Sequence, residues 1–106
     1  MIEIEDSSGN VYADLQVAEA EAMYVKAQLA GKIGDIIRHR HLTQQQAAEI
    51  LGIPQSKLSG LLRGQFRGIS ETKMIACLNR LGRDVDIVVR KAPRRQPQGH
   101  TQVVFT

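Results

Sequence analysis

Between Leu42 and Gly64 the chain reads LTQQQAAEILGIPQSKLSGLLRG, with three charged side chains, Glu49, Lys57 and Arg63. Its other polar positions carry glutamine, serine and threonine. A glutamine amide holds a donor and an acceptor side by side, so it can bond N6 and N7 of an adenine together, and a serine hydroxyl can read several bases. Lysine at every such position would grip phosphate and discriminate little. Gln55 and Ser56 therefore suit the reading of base edges, with neighbouring cations for affinity. Arg67, just beyond the stretch, is a candidate phosphate contact.

Other reactive residue types are sparse. His39 and His41 flank Arg40, but residues two apart on a helix do not share a face. No cysteine or carboxylate pair stands near them at ligand spacing, so no metal is expected, nor any other cofactor. Arg38 to His41 read as an exposed helix end whose positive charge suits the helix dipole. The serines and carboxylates form no recognisable nucleophile–base set, so neither an enzyme nor a small-molecule substrate is expected. Cys77 is the single cysteine. Lying between Met74 and Leu78 in an apolar pattern, it reads as a buried structural thiol.

The elements that must position these residues follow from periodicity and punctuation. Met1 to about Tyr12 reads as an extended arm, with SSGN as a turn. A helix runs from about Val17, its buried stripe marked by Leu29, Ile33, Ile36 and Ile37. Gly31 and Gly34 weaken it by about 1 kcal/mol each relative to alanine, which suggests a break or a close helix contact. Thr43 with Gln46 forms a capping box for a second helix, and Gly52 stops it. Pro54 introduces a third helix ended by Gly64. Ser70 caps a fourth that ends at Gly82. DVDIVVR then alternates as a short strand, with Val85, Ile87 and Val89 on one face. A lone strand is unstable, and pairing with the same strand of a second copy would remedy that. The last stretch, PRRQPQGHTQ, is rich in proline and glutamine and reads as mobile, with VVFT as a weak terminal strand.

At 106 residues the chain suits one domain with a modest core. Tryptophan is absent, so that core must be aliphatic: Leu29, Ile33, Ile36, Ile37, Ala47, Ile50, Leu58, Leu61, Leu62, Met74, Ile75, Leu78 and Leu81. No apolar run approaches the roughly 20 residues of a membrane span, and the acidic N-terminus does not resemble a secretory signal. With a lone cysteine as well, a cytoplasmic location is expected. The net charge of +3 hides an asymmetry: residues 1–24 hold six acids and no lysine or arginine, and the remainder carries +9. Such a body is compatible with a polyanionic partner.

Two short helices joined through a glycine turn, the second entered through polar residues, make a helix-turn-helix, whose second helix enters the major groove. The stretch resembles the helix-turn-helix of lambda-type phage repressors, the XRE family, in its TQ opening, its AA pair, the turn LGI, the QS start of the second helix and the closing glycine. The resemblance implies that Gln44 contacts phosphate and braces Gln55, which reads adenine. It places Ser56 at a base-contact position, Lys57, Ser59 and Gly60 at the groove-facing positions that follow, and Arg63 at a phosphate contact. Lys57, Ser59 and Gly60 depart from the family pattern, so the operator sequence does not carry over. From Asn10 to Arg90 the order of motifs, ending in LNRLGRDVDIVVR, is similar to the HigA-type antitoxins, a compact branch of that family.

The expected fold is thus all-α, a five-helix lambda-repressor-like domain with a short C-terminal β-strand pairing across a homodimer. Residues 1–14 form an acidic arm, 15–91 the DNA-binding and dimerisation domain, and 92–106 a flexible basic tail. The resemblance implies a transcriptional repressor that binds a palindromic operator and neutralises a RelE-like ribonuclease toxin encoded by a neighbouring gene. The alternative is a stand-alone phage or regulatory repressor without a toxin partner. The acidic arm is either a solvated segment or a docking element for the basic surface of such a toxin.

Overall fold

The computed structural model describes residues 4–95 and 97–106, with side chains from Gln16 onward. Among these residues there are four helices: α1 (Ile4–His39), α2 (Gln44–Leu51), α3 (Gln55–Leu62) and α4 (Glu71–Arg80). The longest dimension, 57 Å, is close to the length of α1 alone, about 54 Å for 36 residues.

α1 differs from the expected arm followed by a helix. Its backbone is helical from Ile4, straight through SSGN, while Met1 to Glu3 lie outside the described residues. Extending a formed helix is cheap compared with nucleating one, and Glu5 and Asp6 lie where the positive end of the helix dipole favours acids. One long helix therefore replaces an arm and a shorter helix; separately, the expected fifth helix is not found among the described residues. Val25, Leu29, Ile33, Ile36 and Ile37 form its buried stripe. No break occurs at the two glycines. Gly34 is instead a close contact: a Cβ there would lie 3.3 Å from Cδ2 of Leu62, so α3 packs against the bare backbone of α1.

α1 stops at HRHL by a local device. His41 takes a left-handed φ of 55°; its N–H bonds the carbonyl of Arg38 and that of Leu42 bonds Ile37. These are the paired bonds of a Schellman stop, so His41 has a backbone role where glycine is usual.

The helices close on one apolar cluster. Ile33, Ala47, Leu58 and Met74 are fully buried, and Leu51 nearly so. Ile50 and Leu62 are half-buried against it, Ile75 is half-buried, Cys77 is buried as its apolar setting suggested, and Val25, Ala30, Ala48 and Ile69 join the cluster beyond the expected set. Cys77 is inert by position: burial pushes its thiol up, away from the thiolate that reactivity needs. Among the described residues no helix is long and apolar enough to cross a membrane.

The expected C-terminal strand is not formed among the described residues. Val85 and Val103 touch the core, but Ile87 and Val89 are 78% and 92% exposed and the backbone there takes no regular form. A strand needs a neighbour to satisfy its backbone groups. The tail returns to α1. The Thr101 N–H donates to Oε1 of Glu21 at 2.8 Å, and Nδ1 of His100 lies 2.9 Å from the other oxygen. Further on, the Lys32 ammonium sits 5.3 Å from the centre of the Phe105 ring, a cation–π distance.

Candidate nucleic-acid interface

Thr43 starts α2 with both bonds of a capping box. Its hydroxyl accepts from the Gln46 N–H at 3.0 Å, and Oε1 of Gln46 accepts from the Thr43 N–H at 2.9 Å. Ala47, Ala48 and Leu51 then face the core, which leaves Gln44, Gln45 and Glu49 in solvent. The turn depends on Gly52, at φ +69°, whose N–H reaches the carbonyl of Ala48 at 2.8 Å. Any Cβ there would meet the Arg80 guanidinium at 2.6 Å as well as facing left-handed strain.

Pro54 occupies the cap position of α3, with φ −62°, one residue before the helix rather than inside its first turn. It offers no side-chain cap. Its carbonyl takes the N–H groups of Lys57 and Leu58, which leaves those of Gln55 and Ser56 without a backbone partner among the described residues. Leu58, Gly60 and Leu61 anchor α3 from below, while Gln55, Ser56 and Lys57 are exposed. Neither short helix has an acid in its first turn. The result is a rigid corner presenting an amide, a hydroxyl, an ammonium and a positive helix end, all suited to meeting an anionic, base-edged groove.

A helix-turn-helix domain family matches residues 11–90, most of the chain. A solved structure described as an XRE-family transcriptional regulator is 37% identical, with a TM-score of 0.77, and the match covers 82% of this chain and 98% of that one. The chain is an XRE-type helix-turn-helix protein. Among curated proteins, none matches it.

In this helix-turn-helix the expected contact residues divide. Gln44, Gln55, Ser56 and Lys57 are all exposed at the first turns of α2 and α3. Both glutamines lie in solvent, Gln44 opening α2 and Gln55 opening α3. Ser59 is half-buried and its hydroxyl accepts from Nη1 of Arg63 at 2.7 Å. Arg63, also 3.4 Å from Oε1 of Gln65, is thereby held along the end of α3. Gly60 is a correction: it is buried, with Gln65 folded against it and the Gln65 N–H on its carbonyl at 2.8 Å. Its lack of a side chain lets the loop close on α3.

Arg67 lies apart from the corner, paired with Glu19 of α1 at 3.1 Å, and its carbonyl accepts from Nζ of Lys26 at 2.9 Å. Arg38 pairs with Asp35, and Arg40 donates to the carbonyl of Leu81. Sequence reading missed Gln65 and Arg80. The first positions Arg63. The second, above Gly52, lies 3.5 Å from the carbonyl of Ile50 and so ties α4 to the end of α2. Only the four-residue spacing of Ser59 and Arg63 signalled any of this in advance. Among the described residues no group of histidines, cysteines or carboxylates could hold a metal ion.

Proposed function

We propose that this chain is a sequence-specific DNA-binding repressor acting in the cytoplasm as a homodimer on a palindromic operator. The observation that carries the reading is the corner itself: Gln55, Ser56 and Lys57 stand in solvent at the start of α3 while Leu58 and Leu61, on the same two turns, are buried. Such a helix can lay its outer face in a major groove without disturbing the core. Gln55 and Ser56 read bases, Lys57 and the α2 end at Gln44 meet phosphate, and Arg63 adds charge beside Ser59. Replacing Gln55 by alanine should cost about 1–3 kcal/mol of operator binding, selectively at one base pair of each half-site. A binding-site selection on both proteins measures this. An unaltered sequence preference would remove α3 as the reading helix.

Dimerisation is supported by the segment after α4. Ile87, Val88 and Val89 are exposed on a segment without regular secondary structure, unpaired with any strand among the described residues, and a symmetry-related copy would supply both backbone partners and cover. Half-sites would then lie about 34 Å apart. Within this reading the chain is the antitoxin of a type II pair, supported by the sequence likeness from Asn10 to Arg90 and the acidic first 24 residues, which suit a basic ribonuclease. A stand-alone regulator is the alternative. Co-purification with the product of the adjacent gene decides between them, since a stand-alone repressor would come through alone.

A further inference from the structure

The nine arginines fall into two groups. Arg38, Arg40, Arg63, Arg67 and Arg80 each have a hydrogen-bonded partner. Arg83, Arg90, Arg94 and Arg95 all follow α4, and among the described residues their side chains form neither a hydrogen bond nor an ion pair. With Lys91, the six residues from Arg90 to Arg95 hold four cations and no acid, and all four are exposed.

These cations are displayed on an anchored segment. Val85 packs on the core on one side, and Glu21 holds His100 and Thr101 on the other. A Cβ on Gly99 would lie 3.9 Å from that of Ala92, so the chain doubles back between them, and Pro93 and Pro97 restrict its path. Arg94 and Arg95 lie in that reversal. Glu71, the first residue of α4, lines one concavity with Gln98 to Thr101. The reversal thus stands at the end of α4 that the chain reaches from α3 through the loop carrying Arg67.

We infer that Arg90, Lys91, Arg94 and Arg95 are a second contact with duplex DNA, made to the phosphate backbone and outside the helix-turn-helix. The inference rests on the DNA-binding reading above. Packing four like charges into six residues without a partner among the described residues is unfavourable for the protein alone, and a duplex, with a negative charge about every 1.7 Å along its axis, relieves it. Guanidinium and ammonium groups hold phosphate without distinguishing bases, so this contact adds affinity and leaves sequence preference alone.

The test measures dissociation constants for a random-sequence duplex of about 30 base pairs and for the DNA upstream of the gene, over a series of salt concentrations. The proteins are the full chain, Arg94→Ala/Arg95→Ala, and Arg94→Lys/Arg95→Lys, with circular dichroism to confirm helix content. The alanine variant should bind both duplexes more weakly, with a log–log salt slope shallower by about two, since each lost phosphate contact removes about 0.9. The lysine variant should keep the slope of the parent. A slope unchanged in the alanine variant overturns the inference, and so does a loss of affinity confined to the upstream duplex with the random-sequence duplex bound as tightly as before. A parent chain that binds neither duplex, even at low salt, overturns the DNA-binding reading itself, a result distinguishable from the first.

Discussion

Gly52 combines a left-handed backbone with the Arg80 guanidinium overhead. An L-residue in that conformation costs about 1–2 kcal/mol, and the arginine, being flexible, can swing aside at the expense of its weak contact with Ile50. Gly52→Ala should therefore lower stability by about 1–2 kcal/mol, seen as a reduced urea midpoint at unchanged m-value. His41 shows the same physics solved differently, by a non-glycine residue that tolerates the left-handed region. Cap chemistry is as local. Thr43 and Gln46 satisfy each other across three residues, which is why both were legible from spacing alone. Gly60 was not. Whether a small residue faces outward or is covered depends on where the following loop folds, and Gln65 covers it.

At the scale of elements, the helices carry their own punctuation, while the tail depends on long-range contacts, the Glu21 carboxylate foremost, with Val103 and Phe105 packed beyond it. The Thr101 backbone N–H, and then the bond to His100, hold the Glu21 carboxyl below the usual value for glutamate, against a smaller opposing effect of desolvation. A folded pKa below the unfolded one means the clasp stabilises at pH above about 4.3 and weakens as the pH falls through the lowered value. The Thr101 amide resonance followed by NMR should report release only in that acid range. Glu21→Gln should abolish the transition, whereas a transition surviving in that variant would assign it to another group. α1 shows the reverse case, in which local signals misled. SSGN has the composition of a turn, yet its backbone continues the helix that Val25, Leu29 and Ile33 anchor downstream.

For the whole molecule, assembly centres on Ile87, Val88 and Val89, 78%, 76% and 92% exposed. If a second copy covers them, Ile87→Asp/Val89→Asp should sediment as a monomer at concentrations where the parent is a dimer, and should bind an operator more weakly through loss of the paired half-site. A parent that sediments as a monomer would remove the two-fold arrangement from the proposal. The alternation of DVDIVVR was readable in the sequence, but among the described residues it forms no strand, because no neighbouring segment supplies ladder bonds to it.

The sequence by itself determined whatever depends on neighbours within about eight residues: the stripe of Leu29, Ile33, Ile36 and Ile37, the caps at Thr43 and Ser70, the turn at Gly52, and the exposed row of Gln55, Ser56 and Lys57. Periodicity and capping are properties of a short stretch of backbone, so they can be read before the chain is folded. Tertiary structure alone decided the pairing of Arg67 with Glu19, 48 residues away, and the clasp of Glu21 on Thr101, 80 residues away. Contacts of that span arise only after the core has brought the helices together, and many sequence-compatible partners compete for each charged group until packing selects one.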